Sequence, residues 1–409
     1  MDKLVIDDVE LTGRRVLMRV DFNVPILDGK IGDTTRIEAA LPSINKVISE
    51  KGKLILMSHL GRPKGKVVEK YSLAPVAKKL SDYLGKAVTM ASDCVGSEVE
   101  AAVNALNEGD VLLLENTRFH KAETENDATF SKQLASVADI FISDAFGAAH
   151  RAHASTVGVT KHLKENAAGY LLQTEIESLT KVLENPEKPY VVILGGAKVS
   201  DKIKVIQNLL TKASAIIIGG GMSYTFLKAK GYEIGGSLLE EAHLSLANNV
   251  MVVAKNPHPH KKIDFMLPSD HTIAREKSHG EFKVSEGVAV ENGWQGVDIG
   301  PQSITHFTEK ILNAKSILWN GPMGIFENDN FARGTMAVAQ AVATATKNGA
   351  FSVVGGGDSV AALEKAGLKS AISHVSTGGG ASLEFMAGMD LPGISALTKV
   401  KKATKIDSE

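Results

Sequence analysis

The chain has almost no cysteine. Cys94 is the single thiol in 409 residues, which excludes an internal disulfide framework and any cysteine-rich metal site. Cys94 itself reads as a small buried or half-buried residue. No apolar run approaches the roughly 18 residues that a membrane-spanning helix needs. Neither sign of charge dominates: 46 Lys and Arg face 47 Asp and Glu, a net charge of −1. No overall attraction to nucleic acid or to an anionic membrane results. The first residues, Met1-Asp2-Lys3-Leu4-Val5, lack a cationic start followed by an apolar stretch, so no secretory signal is expected. Internal repeats and low-complexity stretches are missing too. These absences point to a soluble protein of the cytoplasm. Its length predicts roughly two or three domains, and its 44% hydrophobic content supports a large core.

What is present is an alternation of short apolar runs with helix-like stretches. Strands are predicted at 16–20, 53–57, 88–90, 111–114 and 140–142. After mid-chain they are predicted at 191–194, 215–218, 251–253, 316–319 and 352–354. The runs are continuous rather than alternating, as parallel strands covered on both faces require. The predicted class is α/β with doubly wound packing. Leu172, Ile176, Leu179 and Leu183 show i, i+4, i+7, i+11 spacing, one face of a helix. Pro186 and Pro189 stop it. The preferred reading is a helix joining two domains; the plainer one is a surface helix.

The residues just past the runs differ between the halves. In the first half the runs end in charged and imidazole groups: Asp21-Phe22-Asn23, Ser58-His59-Leu60-Gly61-Arg62 and Glu115-Asn116-Thr117-Arg118. Ligands of open α/β sheets bind beyond the carboxyl ends of the strands. Arg36, Arg62, Arg118 and Arg151 stand near such ends or in the adjoining loops, and a guanidinium matches phosphate or carboxylate bidentately. With His59 they suit a small multiply charged metabolite; Asp21 and Asn23 suit a hydroxyl. Taken singly, each Arg reads more simply as a surface charge; their recurrence at strand ends argues for the site, though spacing alone does not bring them together. Gly61-Arg62-Pro63-Lys64-Gly65-Lys66-Val67 is not a Walker A loop: three residues separate the glycines and Val67 replaces Ser/Thr. His150 and His153 have no evident third ligand nearby in sequence, which argues against zinc. His258 and His260 read as an exposed loop, and the basic, polar stretch 399–409 as a solvated end that could lie back on the first domain.

In the second half the runs end in glycine, which exposes backbone amides suited to phosphates. Gly195-Gly196-Ala197-Lys198 continues to Lys202, and the two lysines share a face if a helix starts there. Gly219-Gly220-Gly221 lacks the third glycine of a dinucleotide fingerprint, since Tyr224 stands in its place. In Gly355-Gly356-Gly357-Asp358-Ser359, Asp358 is a hard oxygen ligand for Mg²⁺ and Ser359 is placed to cap a new helix. Ser376-Thr377-Gly378-Gly379-Gly380 precedes a predicted helix at 381–386, whose N-terminus would face an anion.

In order along the whole chain these motifs resemble the phosphoglycerate kinase family. The resemblance rests on Asp21-Phe22-Asn23-Val24-Pro25, His59 to Pro63, Glu115 to Phe119 and Asp144 to His153. It continues in residues 195–202, Trp319 to Glu327, 355–359 and 376–380. It implies two Rossmann-like units with parallel sheets: residues 1–170 binding phosphoglycerate, 171–189 as a joining helix and hinge, and 190–388 binding nucleotide. Residues 389–409 would return to the first unit. It implies reversible phosphoryl transfer between 1,3-bisphosphoglycerate with ADP and 3-phosphoglycerate with ATP, with Mg²⁺, in a monomer without nucleic-acid or membrane partners. Asp21, Asn23, Arg36, His59, Leu60, Gly61, Arg62, Arg118 and Arg151 would hold the phosphoglycerate. Gly196, Lys198, Lys202, Gly220, Gly296, Asn320, Glu327, Gly356, Gly357, Asp358 and Ser359 would hold the nucleotide, Glu327 at the ribose and Asp358 at the metal. Arg36, Lys198 and Gly379 would stabilise the transferring group. Departures are Ala148, where many members have Thr, a missing lysine in Gly235-Gly236-Ser237, and the His/Pro-rich 256–262 connection. Two rivals remain: a nicotinamide-dependent oxidoreductase, disfavoured by the absent glycine fingerprint, and a non-catalytic nucleotide-binding protein, disfavoured by the intact set of Arg36, Lys198, Lys202 and Asp358.

Overall fold

A computed structural model describes residues 2–255, 263–277 and 280–400. The expectations for His258, His260, the 256–262 connection and the tail beyond residue 400 lie outside the described residues. Two compact units divide the chain: one runs to Glu177 and resumes at Asp390, and the other is Ser178–Met389.

Among the described residues, apart from a short two-stranded hairpin at 26–31, fifteen strands build three sheets: β1 Arg15–Val20, β2 Lys53–Met57, β3 Val88–Met90, β4 Val111–Leu113, β5 Ile140–Asp144, β6 Asn166–Ala168, β7 Tyr190–Leu194, β8 Ala215–Ile218, β9 Asp264–Met266, β10 His271–Ala274, β11 Phe282–Val284, β12 Gln295–Ile299, β13 Ser316–Asn320, β14 Phe351–Gly355 and β15 His374–Val375. The first unit orders its sheet β3-β4-β2-β1-β5-β6 with every pair parallel. The second orders its main sheet β9-β8-β7-β13-β14-β15, again parallel throughout. A smaller antiparallel sheet, β11-β10-β12, belongs to the second unit. All five residues of β7 and of β13 are buried, and β1 and β2 are buried after their first residue. Each residue of such a strand packs against helices on one face or the other, which is why the sequence shows no alternation.

One expected strand is not a strand. Residues 251–253 lie in the helix Leu244–Lys255, which buries Ala247, Val250, Met251 and Ala254 at i, i+3, i+4, i+7 and leaves Val252 and Val253 about half exposed. Three successive apolar residues look like a strand, but the flanking alanines set a helical period.

The helix Tyr170–Leu183 buries Leu172, Ile176, Leu179 and Leu183, and the boundary between the units falls inside it. Its first turn is capped from other elements: Ser43 Oγ accepts the Tyr170 N–H at 2.9 Å and Asp144 Oδ1 accepts that of Leu172 at 3.2 Å. Burial lifts the Asp144 carboxyl to about 7. The C-terminal segment packs on the rest of the first unit. Lys3 Nζ donates to the carbonyls of Ser395 and Leu397 at 2.8 and 2.9 Å. Leu4 N–H donates to Thr398 O at 2.9 Å, and Thr398 N–H to Asn166 O at 3.0 Å.

Candidate functional site

In the first unit β4, β2, β1 and β5 are neighbours and run the same way, so their carboxyl ends open on one edge. From these ends come Arg118, His59 with Arg62, Asp21 with Asn23, and Arg151. Arg36 joins them from the first turn of the helix Thr35–Ser49, its Nη1 2.7 Å from Asp21 Oδ2. Asn23 Oδ1 accepts the Gly61 N–H at 2.9 Å, and Arg118 Nη1 donates to Gly61 O at 3.0 Å. Asn116, fully buried, ties the two loops together: its Oδ1 accepts from Leu60 and Arg118 N–H groups, and its Nδ2 donates to Leu60 O at 2.7 Å. Arg62 and Arg151 are exposed and enter no ion pair among the described residues.

The structure adds residues that the sequence did not reveal. Arg19, inside β1 and fully buried, donates from Nε to Ser155 Oγ at 2.8 Å and from Nη2 to His59 Nδ1 at 3.0 Å. Ser155 Oγ in turn donates to Glu123 Oε1 at 2.5 Å, and Glu123 is fully buried. A guanidinium only donates, so His59 Nδ1 is an acceptor and its proton sits on Nε2. Burial first, then Arg19, Arg118 and Arg36, hold His59 well below the usual imidazole range. His153 lies 4.0 Å from Glu123 Oε1 and is pushed down to about 4 by burial and by Arg118 and Arg19. Glu123 thus supplies the carboxylate that no residue adjacent to His153 in sequence provides. The one signal for Arg19 was a charge inside an otherwise apolar run. Five guanidinium groups against Asp21 and Glu123 leave the edge positive, as a multiply charged anion requires.

In the second unit a cavity of about 600 Å³ is lined by Gly196, Lys198, Lys202, Asn320, Gly356, Gly357, Asp358, Ser359 and Gly379, among others. Gly220, Gly296 and Glu327 are not among its lining residues. Three details differ from the sequence reading. Lys198 and Lys202 do not share a helix face, because the helix begins at Ile203; they meet in the cavity through the turn that precedes it. Ser359 is not a helix cap: Gly356, at φ +95°, takes that position, and Ser359 Oγ accepts the Gly321 N–H at 2.6 Å. The glycine amides are not all bare. Those of Gly195, Gly196 and Gly220 donate to the carbonyls of Asn320, Pro322 and Met323 at 3.0 Å each.

Steric room separates two kinds of glycine. A Cβ at Gly195 would run into Pro322 O, one at Gly219 into Met323 Sδ and one at Gly296 into the Tyr224 hydroxyl. Packing within the unit alone bars a side chain at these three. A Cβ at Gly196, Gly357 or Gly379 would meet nothing within 4 Å, yet all three line the cavity, where bulk would exclude a ligand instead. Lys202 Nζ donates to Asn320 Oδ1, whose Nδ2 donates to Gly355 O at 2.8 Å. Burial lowers Lys202 from 10.5 to about 8 against the opposing pull of Asp201 and Asp358. Asp358 is exposed and makes no hydrogen bond or ion pair among the described residues. One open carboxylate at the rim of a cavity lined by two lysines fits Mg²⁺, which takes one or two carboxylates, substrate phosphates and water.

A parallel α/β unit with an arginine-rich edge, followed by one with a glycine-lined cavity holding two lysines and an aspartate, defines the class of nucleotide-dependent phosphotransferases. Comparison with known proteins narrows the class. The phosphoglycerate kinase family model matches residues 6–389. The chain is 53% identical to the phosphoglycerate kinase of Chloroherpeton thalassium over 97% of its own length and 100% of that protein's. It is 54% identical to that of Moorella thermoacetica over 98% and 100%. The structure of phosphoglycerate kinase from Coxiella burnetii superposes with a TM-score of 0.88 at 43% identity, covering 96% of this chain and 98% of that one. The chain belongs to the phosphoglycerate kinase family.

Proposed function

We propose that this chain catalyses reversible transfer of the acyl phosphate of 1,3-bisphosphoglycerate to ADP, giving 3-phosphoglycerate and ATP, a step of glycolysis and, reversed, of gluconeogenesis. The observation that carries this reading is full-length identity above 50% to phosphoglycerate kinases, in a chain whose two units present two complementary sites. The arginine-rich edge would hold phosphoglycerate through Arg36, Arg62, Arg118 and Arg151, with His59 Nε2–H as a neutral donor and Asp21 and Asn23 toward its hydroxyl. Leu60 and Gly61 would supply backbone. The glycine-lined cavity would hold the nucleotide phosphates at Lys198, Lys202, Asn320 and residues 356–359, with Gly220, Gly296 and Glu327 toward the nucleoside.

Phosphoryl transfer asks for in-line positioning and cancellation of charge on the moving oxygens. The acceptor carboxylate is already ionised, so no general base is required. Arg36, Lys198 and the Gly379 amide would face the transferring group. Asp358 would hold Mg²⁺, which supplies charge neutralisation at the nucleotide phosphates. Reaction needs the two substrates within about 3–3.5 Å, so closure of the units on the helix 170–183 is part of the proposal. It would also keep water from the acyl phosphate. Monomeric action in the cytoplasm is in keeping with the family; no helix among the described residues is long and apolar enough to cross a membrane.

The test is ATP consumption by the purified protein, with the product drained by a coupled dehydrogenase. Turnover that requires both 3-phosphoglycerate and Mg²⁺ is expected. ATP binding without turnover would refute the enzymatic reading.

Lys202 gives a second prediction. Half deprotonated near pH 8 in the free cavity, it should regain its proton when phosphates arrive, since a nearby opposite charge favours the charged form. Calorimetry of ADP binding at about pH 8.5, just above that midpoint, in buffers of differing ionisation enthalpy should show uptake of a fraction of a proton. Lys202→Met should remove it. Equal uptake in the variant would assign the proton elsewhere.

A further inference from the structure

The single cysteine lies against two other metal-ligating side chains, outside both sites already described. Asp93 and Cys94 come after β3, and His120 directly succeeds the turn Thr117–Phe119 that carries Arg118. The carboxylate, the thiol and an imidazole nitrogen all lie within 4.8 Å of one another. His120 Nε2 is 2.6 Å from Asp93 Oδ1. Cys94 is 1% exposed, whereas the side chains of Asp93 and His120 are 45% and 32% exposed. The group therefore has a sulfur floor and a side open to solvent. Phe130 packs on the His120 ring at 5.1 Å between centroids and limits its swing.

We infer that Asp93, Cys94 and His120 form a binding site for a borderline-soft divalent cation of the Zn²⁺ class. One sulfur, one nitrogen and one oxygen donor do not suit Mg²⁺ or Ca²⁺, which take oxygen. They match Zn²⁺ and Co²⁺, with water completing a tetrahedron on the open side. Metal–ligand bonds of about 2.0–2.3 Å place tetrahedral donor atoms roughly 3.3–3.7 Å apart. The 2.6 Å contact and the 4.8 Å limit bracket that spacing. On binding, the thiol gives its proton to solvent and the imidazole carries its proton on the nitrogen away from the metal. A nucleophilic role for this thiol is disfavoured by its burial. An occupied site would tie the Asp93 loop to the 117–119 turn, and Arg118 of that turn reaches Gly61 O.

The full chain, stripped of metal with a chelator and dialysed, is titrated with Co²⁺ and then with Zn²⁺. A sulfur-to-cobalt charge-transfer absorption saturating at one equivalent is expected, with tetrahedral visible bands, all lost on adding Zn²⁺. Because Cys94 is the sole cysteine, that absorption reports this site and no histidine cluster elsewhere. Cys94→Ser should abolish it. His120→Ala, and the milder His120→Gln, should weaken it or remove it, with circular dichroism confirming that each variant is folded. No charge-transfer absorption, or one unchanged in both folded His120 variants, would overturn the assignment.

Discussion

Replacing Arg36 by alanine should lower kcat by about 10²–10³-fold, the range seen when one preorganised charge-stabilising donor is lost, while KM for 3-phosphoglycerate changes only a few-fold. Arg36 projects from the first turn of a helix, and Asp21 grips its Nη1 at 2.7 Å. The guanidinium is thus oriented before substrate arrives, with its remaining N–H groups available to an anion. A donor fixed in advance contributes most where charge develops in the transition state. Arg36→Lys keeps the charge but not the planar fork and should recover only part of the rate. Steady-state kinetics in both directions would decide: a loss confined to KM would mean that Arg36 merely binds ground-state substrate.

The second large effect concerns stability. Arg19→Leu should cost about 3–5 kcal/mol, the usual penalty for leaving one buried charge uncompensated. Glu123 and Ser155 would lose the guanidinium that their hydrogen-bond chain serves, and His59 the donor that fixes its tautomer. For a unit of this size, that cost corresponds to a fall in its Tm of about 6–20 °C. Calorimetry would track the first unit's transition. The double variant Arg19→Leu/Glu123→Leu should recover a substantial part of the loss, since no lone charge then remains. A single-variant drop below about 2 °C, well under the range set by the size scaling, would show that Glu123 is compensated by another group, His153 being nearest at hand.

The sequence was most legible where one rule governed a segment. The strands 53–57 and 215–218 lie where their continuous apolar runs put them, because both faces of a parallel strand are covered. The same rule failed at 251–253, where a longer helical period competed with a short apolar run. The strand β11 went unread, since Phe282, Lys283 and Val284 are all exposed and carry no pattern of burial. Candidate residues lying just past strands were visible as Asp21, His59, Arg62, Arg118 and Asp358. Arg19, Asn116 and Glu123 were not, because their roles depend on partners 136, 56 and 32 residues away. Lys198 and Lys202 both line the cavity even though the helical spacing argument did not hold.

The return of residues 390–400 to the first unit fixes an order of events during synthesis. The second unit is one uninterrupted stretch, so every residue it needs is joined to the chain before the first unit's last segment is made. Until Ser395, Leu397 and Thr398 emerge, the first unit lacks the hydrogen bonds that they form with Lys3, Leu4 and Asn166. A released chain that ended near residue 389 would therefore hold every residue of the second unit but lack part of the first.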